Sequence, residues 1–80
     1  MNETFIKNYR GRMVRHFKGQ KYLIEDVAEH SETGEKFVIY RALYGNGECK
    51  VYARPLEMFL SRVDKIKYPD VEQEFRFELI

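Results

Sequence analysis

Eighty residues, 44% hydrophobic and 15% aromatic, suffice for one small domain with its own core and exclude a disordered chain, even with 34% charged residues. A net charge of +1 argues against a strongly basic nucleic-acid-coating protein, and no apolar run approaches the ~20 residues that span a bilayer. Cys49 is the only cysteine, so no internal disulfide can form. The opening Met1-Asn2-Glu3-Thr4-Phe5-Ile6-Lys7 lacks the apolar stretch of a secretory leader, and a cytoplasmic location is the expectation.

The charge is unevenly spread. Residues 1–24 carry six bases against Glu3 alone, +5; residues 25–50 hold six acids and three bases, −3; the remainder holds five bases and six acids, −1. A basic leading segment can attract phosphate or an acidic surface. Residues 1–10 read as a flexible tail ahead of the first strand, within a single domain of residues 1–80.

Turn signals then divide the chain. Lys18-Gly19 separates Met13-Val14-Arg15-His16-Phe17 from Tyr22-Leu23-Ile24, and Glu32-Thr33-Gly34 separates Val27-Ala28 from Phe37-Val38-Ile39-Tyr40. Asn46-Gly47, the strongest short hairpin signal, separates Leu43-Tyr44 from Val51-Tyr52-Ala53. Four strands joined by short turns predict an antiparallel meander. Pro55 ends the fourth strand and suits the first turn of a helix. Leu56, Phe59, Leu60 and Val63 recur at helical spacing, which predicts a helix over 55–66. After Tyr68-Pro69-Asp70, the alternation of Phe75, Phe77 and Leu79 with Glu74, Arg76 and Glu78 predicts a fifth strand. The fold class is therefore mainly β with one short helix: a five-stranded antiparallel meander, closed as an SH3-like barrel or open as a curled sheet.

A two-residue Asn46-Gly47 turn sets a register in which Tyr44 faces Cys49, Ala42 faces Val51 and Tyr40 faces Ala53. The predicted core is Val38, Tyr40, Ala42, Val51, Ala53, Leu56, Phe59, Leu60, Val63, Phe75 and Phe77, with Cys49 an inert thiol on the same face. The opposite, outer face then shows a basic–aromatic–basic row, Lys50, Tyr52 and Arg54, beside Arg41. Such a row can stack a ring on Tyr52 while its cations meet phosphate or carboxylate; the plainer reading is routine cross-strand pairing, with Glu25 neutralising Arg41.

His16 and His30 fall at strand ends or turns, where either can act as base or ligand near neutral pH. No Cys or His stands at metal-ligand spacing, and no phosphate-loop pattern occurs, so neither metal nor cofactor is expected. The acids Glu32 and Glu35 flank a hairpin turn, where acids are ordinary.

The string Arg15-His16-Phe17-Lys18-Gly19-x-x-Tyr22, Ala28-x-His30-Ser31-Glu32-Thr33-x-Glu35, Val38-x-Tyr40, Leu43-Tyr44-Gly45, Arg54-Pro55-x-x-Met58-Phe59 and Arg76-Phe77 resembles a bacterial family, domain-of-unknown-function family 1653. That family commonly has Trp close before its Arg-Pro pair, where this chain has Tyr52-Ala53. The resemblance implies a bacterial, cytoplasmic protein and no particular reaction. Its polar motif residues His16, Lys18, His30, Glu32, Thr33, Glu35 and Arg54 exceed what a bare barrel needs, and the histidines have the weakest structural excuse.

The leading functional reading is a non-catalytic binding module that holds a protein or small ligand through strand faces and turns. Its candidate contacts are His16, Lys18, His30, Glu32, Arg41, Lys50, Tyr52 and Arg54. A nucleic-acid-binding module is one alternative, with weak binding expected from the near-neutral charge. The other is a small enzyme for a phosphorylated or nucleotide-like substrate, with a histidine as base and Arg54 as anion clamp. Convergence of both histidines and Arg54 on one concave pocket separates these classes.

Overall fold

The β-branched and aromatic runs form strands, and the glycines between them close the turns. The computed structural model describes residues 6–45 and 50–80. Its strands are β1 (Met13–His16), β2 (Lys21–Glu29), β3 (Lys36–Ala42), β4 (Val51–Pro55) and β5 (Phe77–Leu79), with one helical turn, α1 (Leu56–Phe59), after β4. Gly19 and Gly34 turn the chain with φ of 103° and 77°, values that a side chain would strain. All pairings are antiparallel, in the order β4-β3-β2-β1-β5.

The sheet is open rather than closed into a barrel: β4 and β5 remain its two edges. It is nevertheless strongly curled. Four inter-strand steps would hold flat edges about 19 Å apart at ~4.8 Å each. Yet the Arg54 guanidinium of β4 lies 5.6 Å from the ring centre of Phe77 in β5. The concave face carries the core, built on Ile6, Val14, Ile24, Val38, Tyr40, Phe59 and Phe77. Phe59 stacks on Phe77 at 4.1 Å and meets Tyr40 edge-on at 5.4 Å, which pins α1 across the sheet. Residues 6–10 do not form the expected tail: Ile6 is 3% exposed, and the Tyr9 N–H donates to its carbonyl in a helical turn.

The hairpin register differs from the sequence expectation by one residue. Tyr40 pairs with Tyr52, Ile39 with Ala53 and Val38 with Arg54. The Asn46-Gly47 turn signal and Cys49 lie outside the described residues; the Ala42 N–H bonds the Lys50 carbonyl, which continues the shifted register. A slip of one residue turns every β4 side chain to the other face. Val51 and Ala53 are therefore exposed and not core, while Tyr52 and Arg54 join the concave side. Bulk decides this: the Tyr52 ring covers Tyr40 and Tyr22 at 5.7 and 6.4 Å, which Ala53 cannot do.

The predicted helix over 55–66 stops after one turn. The Ser61 hydroxyl donates to the Met58 carbonyl, and Arg76 N–H bonds the Ser61 carbonyl, drawing the chain out into a bridge between Arg62 and Phe75. Val63 is still buried, now from an extended segment, whereas Leu56, Leu60 and Phe75 are only partly covered. Among the described residues, no helix is long and apolar enough to cross a membrane.

Candidate functional site

One end of the concave face is left open. There the β1–β2 turn, β4 and the segment between α1 and β5 enclose a cleft of about 470 Å³. His16, Phe17, Lys18, Gln20 and Tyr22 form one wall; Arg54, Val63, Asp64, Lys67, Tyr68 and Arg76 complete it. Each cation is positioned by a local contact. Arg54 Nε donates to the Tyr40 hydroxyl (3.0 Å), and Arg76 Nε donates to Ser61 Oγ (3.0 Å). Lys18 and Lys67 place their ammonium groups 5.7 and 5.4 Å from the Tyr68 ring centre, and Tyr68 packs on Phe17 at 4.9 Å. Gln73 ties the Arg76 segment to the sheet by donating to the carbonyls of Arg15, Phe75 and Arg76.

Four cations thus face one acid, and that acid is engaged elsewhere. Asp64 Oδ1 accepts the backbone N–H groups of Ile66 and Lys67 and closes their turn. Among the described residues, Lys18, Arg54, Lys67 and Arg76 have no carboxylate within ion-pair distance. The other ion pairs, such as Arg41 with Glu25 at 2.8 Å, lie elsewhere on the molecule.

His16 is 8% exposed and sits between the Phe17 and Phe77 rings. Its Nδ1 accepts the Lys18 N–H (3.1 Å), which leaves the ring proton on Nε2. Burial first, then the charges of Arg54, Arg76 and Lys18, hold its pKa down at about 4. It is neutral at pH 7. Burial, then the 3.0 Å hydroxyl contact with Tyr44, pushes the Tyr22 phenol above the usual tyrosine range, so it too is neutral.

The structure gathers some of the expected residues and separates others. His16, Lys18 and Arg54 meet in the cleft. His30 does not: it lies past the opposite end of β2, where its Nδ1 accepts the N–H groups of Glu32 and Thr33 and shapes the β2–β3 turn. Glu32 contributes backbone to that turn, and Thr33 Oγ1 accepts the Glu35 N–H. Arg41 is on the outer face with Glu25, so the expected row beside Arg41 is split by the register. Tyr52 lies 38% exposed on the concave side, next to the cleft wall residue Tyr22; Lys50 is exposed near the hairpin end. The sequence reading passed over Lys67, Tyr68 and Arg76 as site residues. Arg76 carried a signal, as a motif residue beside Phe77; Tyr68 read only as part of the Tyr68-Pro69-Asp70 break, and Lys67 fell between that break and the predicted helix over 55–66.

The family described as protein of unknown function DUF1653 matches over residues 12–79. The chain belongs to that family. A crystal structure of a DUF1653 protein from Bordetella bronchiseptica is similar, with 28% identity and a TM-score of 0.73 over 94% of this chain and 91% of that one. No curated protein matches the chain. The match takes in every cleft residue of this DUF1653 chain, and the family's description names no ligand or reaction for them.

Proposed function

We propose that this DUF1653 chain is a non-catalytic binding module of the bacterial cytoplasm, one domain that seats an anionic group of its ligand in the cationic cleft. One observation carries the reading: Lys18, Arg54, Lys67 and Arg76 converge on a concave site where, among the described residues, Asp64 is the single lining carboxylate and none of the four is ion-paired. Holding like charges together costs free energy, which a bound phosphate or carboxylate offsets. The walls are rich in donors: four guanidinium and ammonium groups, the Gln20 amide and the inferred His16 Nε2–H outnumber the one carboxylate, Asp64. That suits a group with only acceptors, above all a fully ionised phosphate, whose geometry the planar arginine forks match. No specific contact favours catalysis. His16 Nδ1 is occupied by backbone, and no serine, threonine or cysteine lines the cleft among the described residues.

Calorimetric titration with inorganic pyrophosphate at low salt tests this. Charge-assisted hydrogen bonds contribute about 1.5–3 kcal/mol, so Arg76→Gln is expected to weaken binding roughly 10- to 100-fold. Lys67→Gln, at an exposed position, should weaken it less, and Arg41→Gln on the outer face not at all. Binding that is absent, or equally sensitive to Arg41→Gln, contradicts the reading.

A further inference from the structure

The cleft is larger than one anionic group requires, since 470 Å³ equals about sixteen water volumes at ~30 Å³ each. It does not end at the β1–β2 turn. On the far side of Lys18-Gly19-Gln20 lies a second, shallower depression of about 460 Å³, bounded by Lys21, Leu43 and Tyr44. Lys18 and Gln20 border both depressions, so only the turn separates them.

We propose that the ligand is a short stretch of single-stranded nucleic acid, with one phosphate in the cleft and the strand continuing over the turn to Tyr44. This deepens the anion-binding reading and rests on it. Along that path cations and rings lie together: Lys67 and Lys18 beside the partly exposed Tyr68, then Lys21 beside Tyr44, which is 45% exposed. A basic groove with interleaved rings follows a phosphodiester backbone while unpaired bases stack, with little sequence preference. An acidic peptide would use the cations and leave the rings idle. A duplex hides the base faces that the rings would meet.

The net charge of +1 does not oppose this, because among the described residues Asp64 is the one acid lining the cleft and no acid lines the second depression. Glu29, Glu32 and Glu35 cluster around the β2–β3 turn, at the other end of the nine-residue β2. Nine residues span roughly 30 Å at ~3.3 Å each, more than three times the ~8 Å screening length at physiological salt. A strand at the basic end is largely shielded from those acids.

The test is fluorescence anisotropy with a labelled eight-nucleotide oligothymidylate, competed by unlabelled duplex, octaglutamate and pyrophosphate. Binding is expected to fall with salt by about 0.7 log units per log unit for each phosphate engaged, roughly 2–3 overall for three or four phosphates. Tyr44→Ala should weaken the oligonucleotide roughly tenfold while leaving pyrophosphate affinity unchanged. Lys21→Gln, at an exposed site, should lower the salt slope by about 0.7. An oligonucleotide no tighter than pyrophosphate, octaglutamate competing equally well, or indifference to both substitutions overturns the proposal and leaves the anion site standing. Failure of pyrophosphate itself to bind removes both.

Discussion

Phe77→Ala is expected to leave almost no folded protein at 37 °C. Phe77 is 4% exposed, stacks on Phe59, and meets Tyr40 and Tyr22 edge-on at 5.4 and 5.8 Å. It also lies beside His16 and under the Arg54 guanidinium, so it joins the core to the cleft. Removing a buried phenylalanine ring costs about 3–5 kcal/mol. At ~0.05–0.15 kcal/mol per residue, an 80-residue chain has roughly 4–12 kcal/mol in all. The informative partner variant is Val51→Ala. In the observed register Val51 is 48% exposed, so its truncation should cost no more than about 0.5 kcal/mol. Urea unfolding of both variants checks this. A large loss at Val51 with a small one at Phe77 would mean that the opposite face of β4 is buried.

Acidification is expected to destabilise the protein between pH 6.5 and about 4 through His16. Its folded-state pKa of about 4 lies below the ordinary 6.5 of an unfolded chain. Across that interval the unfolded state binds the extra proton, so stability is full above 6.5 and declines as pH falls towards 4. At about 1.36 kcal/mol per pH unit, the total loss approaches roughly 3 kcal/mol. His16→Gln removes the titration, so parent and variant unfolding free energies should converge or cross as pH is lowered. Parallel losses at all pH values would show that the His16 ring is not held neutral by the cleft.

Much of the fold was legible because its signals are local. Gly19 and Gly34 marked their turns through backbone conformations other residues resist, and Pro55 marked the end of β4. Alternation found Phe77, and helical spacing found Phe59. The register was not legible, because it depends on which side chains fill a concave surface formed only after the sheet curls. Asn46-Gly47 suggested the other register, whereas in the strands themselves Tyr52 covers Tyr40 and Tyr22. Helical spacing likewise found Val63 as buried without revealing that the chain reaches it in extended form. The site was half visible. His16, Lys18 and Arg54 stood out by residue type and motif, whereas Lys67 comes from a turn closed by Asp64, and Arg76, though in the motif, from a segment that Gln73 ties to the sheet, neither of which periodicity reports. His30 misled because a histidine that caps a turn has the same sequence appearance as one that binds.

Mapping where an anion binds reports on the seat made by Lys18, Arg54, Lys67 and Arg76. Uniformly 15N-labelled protein titrated with pyrophosphate at constant ionic strength and pH 7 gives that map residue by residue. Saturable shifts are expected in the amides of residues 16–20, 67–68 and 76 and in the Arg54 and Arg76 Nε–H signals. The amides of residues 30–36, at the opposite turn, should stay still. Shifts centred on residues 30–36, or small linear shifts spread over all exposed cations, would contradict it.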